Sequence, residues 1–280
     1  MRSVEQRVRI FVRRLLRIRR VTADVLVPTS AEEAASFFGD GTGITVVGGG
    51  TILLPEIAVG RAKPERALML HRAGLDVVQA DGDVVVIGAM VPIEALADAP
   101  DEVLGRVAGS IADCEIRRTA TVGGNIAAPA AADAQRGDLG APLIALGARV
   151  RSTGAGGECV EPIEEFLAGD RSGRLVLDVS YDRFERRSGT TGLRRRHAHS
   201  YSIATVAACA RPDGSDLRIG VSGAGPAAVR CRSVEQSRDP VDVLRDVEPI
   251  DDAVASSAYR RAVLPKLVRD ALDQLEAACS

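Results

Sequence analysis

The β-branched run Ile44-Thr45-Val46-Val47 leads straight into three glycines, Gly48-Gly49-Gly50, and this junction restricts the fold more than any other stretch of the chain. A strand ending in glycines delivers backbone amides to a point that no Cβ obstructs, with positive φ open to the turn. The same chemistry recurs in Thr121-Val122-Gly123-Gly124-Asn125. Brought together, two such bends can clasp a diphosphate, with Thr51, Thr121 and Asn125 adding side-chain donors to the amides. A G-x-G-x-x-G dinucleotide turn would use the same physics, and Gly48 and Gly50 fit it. However, Leu53 occupies the third glycine position and Pro55 falls inside the helix that should follow, so the Rossmann reading is poor. Downstream, Asp138 in Arg136-Gly137-Asp138-Leu139 offers a carboxylate to ribose hydroxyls; taken alone it is an ordinary solvated loop acid, and the set gives it weight.

The flanking sequence alternates strand and helix signals. Val25-Leu26-Val27-Pro28 reads as a short strand, and Thr29 or Ser30 as the cap of a helix reaching Phe38, with Glu32 and Glu33 in its first turn. Stretches 75–79 and 84–87 form an expected hairpin around Asp81-Gly82-Asp83. Helices are expected near 93–97, 103–117 and 142–148, and strands at 149–152 and 175–179. Toward the C-terminus, 201–210, 217–222 and 228–233 read as three strands, joined by turns at Asp213-Gly214 and 223–226, with helix from Asp251 onward. The architecture expected is α+β. It comprises a basic extension over 1–20, a glycine-turn domain over 21–180 in two parts (21–78 and 79–180), and a C-terminal domain over 181–280. That last domain is expected to be a three-stranded antiparallel sheet plus helices.

Composition narrows the function. With 46% apolar and 26% charged residues, the 280-residue chain is an ordinary globular protein, and it has no apolar run long enough to span a bilayer. The net charge of −2 conceals an asymmetry: residues 1–20 hold eight arginines against Glu5, a charge of +7, leaving −9 on the remainder. Within that segment Val4, Val8, Phe11, Leu15 and Ile18 recur at helical spacing, so it reads as an amphipathic helix or as a loosely packed extension. A mostly acidic body with 3% aromatics argues against nucleic acid. The five cysteines, Cys114, Cys159, Cys209, Cys231 and Cys279, include no C-x-x-C unit. They suit neither a disulfide framework nor an iron–sulfur ligand set, and most read as buried small hydrophobes. His197 and His199 lack a nearby third ligand and read as a packed or solvated pair rather than a metal site.

Gly49-Gly50-Thr51-Ile52-Leu53-Leu54-Pro55, followed by Arg117-Arg118-Thr119-Ala120-Thr121-Val122-Gly123-Gly124-Asn125, resembles the FAD-binding medium subunits of molybdenum hydroxylases of the carbon monoxide dehydrogenase and xanthine dehydrogenase type. The resemblance continues through Val86-Ile87-Gly88-Ala89, the segment 137–148 and Ser257-Ala258-Tyr259-Arg260-Arg261, covering roughly residues 22–278. It implies a vanillyl-alcohol-oxidase/PCMH-like FAD-binding fold. Val47, Gly48, Gly49, Gly50, Thr51 and Ile52 match the first pyrophosphate loop, and Thr121, Val122, Gly123, Gly124 and Asn125 the second. Asp138 matches an acid near the adenosine portion. Leu177 and Arg194 fall where relatives touch the flavin, which would lie toward the C-terminal domain. Ile52 departs from the Asp or Ser common in relatives, so one polar contact to the cofactor is expected to be missing.

The resemblance also implies a division of labour. An iron–sulfur small subunit and a molybdopterin large subunit would carry the 2Fe-2S clusters and the molybdenum centre. This chain would hold FAD and pass electrons to NAD, oxygen or a quinone. Wider relatives attach flavin covalently through a histidine in the first loop; this loop has none, so non-covalent FAD is expected. No catalytic acid–base set is evident, and without a signal sequence the expected compartment is the cytoplasm. Two other readings remain open from the sequence: a self-contained FAD-dependent oxidase or reductase, and a scaffold subunit that has lost FAD.

Overall fold

The computed structural model describes residues 24–98, 101–128, 137–195 and 201–277. The arginine-rich segment 1–20, His197, His199 and Cys279 lie outside the described residues.

The first sheet is built from β1 (Asp24–Leu26), α1 (Ala31–Phe38), β2 (Ile44–Val47), α2 (Leu53–Ala58) and β3 (Arg66–Met69). Its strands run parallel in the order β1-β3-β2. The cap of α1 is reciprocal: Glu33 N–H donates to Ser30 Oγ at 3.1 Å, while the Glu33 carboxylate accepts from the Thr29 amide at 2.6 Å and its hydroxyl at 2.8 Å. This helix buries Ala34 and Phe38 against Leu68 and Leu70, and against Leu175 and Leu177 of the neighbouring sheet. Pro55 does not prevent α2 from forming. It is the third helical residue, where an amide would have no intrahelical acceptor to lose.

The second sheet is antiparallel and comprises β4 (Val78–Asp81), β5 (Val84–Gly88), β6 (Arg149–Gly154), β7 (Gly157–Pro162) and β8 (Arg174–Asp182), in the order β4-β5-β8-β6-β7. A 3-10 turn (Ile93–Asp98), α3 (Glu102–Ser110), α4 (Cys114–Thr119), α5 (Val122–Ala127) and α6 (Gly140–Leu146) connect β5 to β6, and α7 (Ile163–Ala168) leads into β8. The helix expected across 103–117 is two helices. Ile111 is extended and Ala112 takes φ +43°, after which Asp113 starts a new turn by accepting from the Ile116 amide at 2.9 Å.

The C-terminal sheet has four strands, not three: β9 (Arg187–Arg194), β10 (Ser202–Ala210), β11 (Arg218–Ser222) and β12 (Val229–Arg230), ordered β12-β11-β10-β9. The added strand is β9. The strand expected at 228–233 shrinks to Val229–Arg230, because the chain turns at Cys231 into α8 (Arg232–Ser237). A 3-10 turn (Pro240–Asp242), α9 (Val243–Asp246) and the long α10 (Ser257–Ala277) complete the chain. One face of β10 adds Ala207 and Cys209 to the core of the second sheet. The other face sets Ala204, Val206 and Ala208 against Leu264 and Val268 of α10. Cys209 and Cys231 are buried, whereas Cys114 and Cys159 are exposed. Burial therefore accounts for two of the four described cysteines.

Candidate functional site

The two glycine motifs are in contact. A Cβ at Gly49 would lie 1.8 Å from the Thr119 carbonyl oxygen, and one at Gly48 would lie 2.8 Å from Thr121 Oγ1. Only glycine permits this approach, and it places the end of β2 directly on the turn that opens α5. Gly50 takes φ +70° and swings the chain into α2. Leu54 is the first residue of this turn to donate within it, to Gly50 O at 2.9 Å. Among the described residues, the amides of Gly49, Gly50, Thr51, Ile52 and Leu53 meet no acceptor. Consecutive free N–H groups around a positive-φ glycine form an anion-binding concavity.

The second motif is built differently. Val122 N–H donates to Val91 O at 3.0 Å and Gly123 N–H to Ala89 O at 2.8 Å. Gly124 N–H donates to Thr121 Oγ1 at 3.2 Å and Asn125 N–H to Thr121 O at 2.9 Å. Its amides are thus engaged within the protein, and its glycine fits the chain closely: a Cβ at Gly123 would lie 2.7 Å from that of Ala89. Among the described residues, two of its side-chain donors meet no acceptor, the Thr121 hydroxyl hydrogen and the Asn125 amide NH2. Asn125 Oδ1 itself accepts from Leu139 N–H at 3.1 Å, which ties the motif to the segment carrying Asp138.

Asp138 meets the C-terminal sheet. Thr205 Oγ1 donates to its carboxylate at 3.3 Å and Ser222 Oγ to its carbonyl at 3.2 Å. Burial pushes its carboxyl above the ordinary range, while Ser202, Arg194 and Thr205 pull it back. Arg194, at the end of β9, is therefore near enough to Asp138 for its charge to be felt there. Leu177 is not: its side chain, 2% exposed, belongs to the core shared with Phe38 and Leu68. It contributes a carbonyl, accepting from Ala89 N–H at 2.9 Å and so bracing the strand end on which Gly123 rests. Val47 is buried at the close of β2, and Thr51 and Ile52 are half-buried at the turn. The sequence reading missed Ser202, Thr205 and Ser222. Their one signal was polarity within strands that are otherwise buried and apolar.

The chain belongs to the family described as FAD binding domain in molybdopterin dehydrogenase, which it matches over residues 19–180. It is an oxidoreductase component, a FAD-binding medium subunit of the molybdenum hydroxylase class. The 6-hydroxypseudooxynicotine dehydrogenase complex subunit alpha of Paenarthrobacter nicotinovorans is 27% identical, the alignment covering 89% of this chain and 93% of that one. The carbon monoxide dehydrogenase medium chain of Hydrogenophaga pseudoflava is 26% identical, over 90% and 96% respectively. The solved carbon monoxide dehydrogenase of Hydrogenophaga pseudoflava, lacking the Mo-pyranopterin moiety, superposes with a TM-score of 0.81 at 25% identity, covering 92% of this chain and 98% of that one. Quinoline 2-oxidoreductase from Pseudomonas putida 86 shares the fold, with a TM-score of 0.77 at 18% identity and coverage of 92% and 99%.

Proposed function

We propose that this chain is the electron-relay subunit of a molybdenum and iron–sulfur hydroxylase. It would take electrons from iron–sulfur clusters on a small partner subunit, fed by a molybdopterin large subunit, and deliver them to a terminal acceptor. FAD, held non-covalently, supplies the chemistry, since it exchanges electrons singly or in pairs. The observation that carries this reading is the row of free amides from Gly49 to Leu53, set against Thr121 by glycines that tolerate no side chain.

The chain's own residues hold and orient. The first loop offers amides to the pyrophosphate, and Thr121 and Asn125 add a hydroxyl and an amide donor. Asp138, against the C-terminal sheet and within range of the Arg194 charge, would bound the flavin end. This neighbourhood supports placing Asp138 with Arg194 rather than at the adenosine. No described helix is long and apolar enough to cross a membrane, and the reading places the complex in the cytoplasm. Affinity purification of the tagged chain from its native cells tests the assignment. Recovery with iron–sulfur and molybdenum-containing chains, and with FAD, is the expected result. A lone yellow chain turning over a substrate by itself would support the self-contained oxidase instead.

A further inference from the structure

Arg260, in the first turn of α10, is fully buried. Its Nε donates to Ile203 O at 3.0 Å, Nη1 to Ile250 O at 2.7 Å and to Ala255 O at 2.8 Å, and Nη2 to Asp252 Oδ2 at 2.8 Å. Seating a helix on a sheet does not require a buried guanidinium; an apolar side chain does it with less desolvation. What four directed bonds add is a fixed position for the groups that accept them.

The most informative acceptor is Ile203. Between β9 and β10, Ser202 faces Arg194 and Ala204 faces Leu193, so Ile203 is the extra residue of a β-bulge. Strict alternation would put Ser202 on the face of Ala204, toward α10. The bulge instead turns it to the face of Thr205 and Arg194, beside Asp138. There its hydroxyl is buried and lies close enough to the Asp138 carboxyl to lower its pKa, but it reaches hydrogen-bonding geometry with none of the described residues. Gly223 closes the other side of the bulge, where a Cβ would lie 3.2 Å from Ser202 O.

We propose that Arg260 is a positioning residue for the cofactor: by holding the Ile203 carbonyl it maintains the bulge that aims the Ser202 hydroxyl at the flavin end of FAD. This rests on the function proposed above and adds two residues to it, one that touches the cofactor and one that acts through it. In the intact complex, Arg260→Met and Ser202→Ala each weaken FAD binding by about tenfold, the effect of one lost hydrogen bond, and shift the visible circular dichroism of the bound flavin alike. The double variant binds no more weakly than the weaker single, because both remove the same contact. Additive losses, or a folded Arg260→Met with unchanged affinity, overturn the proposal. If Arg260→Met does not fold, Asp252→Asn is read in its place: a smaller loss with the same spectral shift supports the role, and none refutes it. If the unaltered complex takes up no FAD, the functional reading falls first and this inference falls with it.

Discussion

Gly49 and Gly109 differ in what surrounds the missing methyl group. At Gly49 a Cβ would drive into the Thr119 carbonyl, a backbone atom with nowhere to go. Gly49→Ala is expected to lower stability by about 3 kcal/mol, the upper range for overpacking, and to abolish FAD binding by parting the two motifs. Gly109 lies on the exposed side of α3 with nothing near its Cβ position, so Gly109→Ala should raise stability by about 0.5–1 kcal/mol. Thermal denaturation of the two variants side by side checks both signs. Asp138 yields a pH prediction for the cofactor-free chain. Burial raises its pKa in the folded state, so its contribution to stability is fullest below the ordinary carboxylate range and is lost as pH rises through that range toward the raised value. Asp138→Asn should flatten this decline and raise the melting temperature at neutral pH. An unchanged slope with a lower melting temperature would contradict it. At this scale the glycines and Thr121 were legible because their types are unusual at such positions. Which amides are free was not, because Val91 and Ala89, far away in sequence, decide it.

Elements whose hydrogen bonds and burial are local could be read from the chain. The Ser30 cap, β2, the β4–β5 hairpin and α10 all carry their own signals. Ser30→Ala should therefore cost about 1 kcal/mol, seen as a lower denaturation midpoint with an unchanged slope. β9 carries no such signal: Arg-Ser-Gly-Thr-Thr-Gly-Leu-Arg is poor in strand formers. Its glycine at 189 exists because Ala271 O of α10 comes within 2.0 Å of where a Cβ would stand. Tertiary packing sets this strand, as it sets the extended Ile111 that splits α3 from α4. Pro55 teaches the converse: it looked like a helix breaker, but its place in the first turn removed the penalty.

Across the whole molecule, the candidate site is a line of segments joining all three sheets. It runs from the glycine turn after β2 through Thr121 and Asn125 to Leu139 and Asp138, and ends on Thr205 of the C-terminal sheet, within range of the Arg194 charge. The glycine turn, the paired segments carrying Thr121 and Asp138, and the C-terminal sheet rest on three different cores, so a ligand spanning the line would couple them. Titrating FAD into the complex purified free of flavin, while following visible absorbance and melting temperature, addresses this most directly. One FAD per chain is expected, with a rise in melting temperature that Gly49→Ala eliminates and Thr121→Val reduces. A protein that stays colourless at saturating FAD, or binds it equally well with Gly49→Ala, would contradict the assignment of these two glycine motifs as the cofactor site.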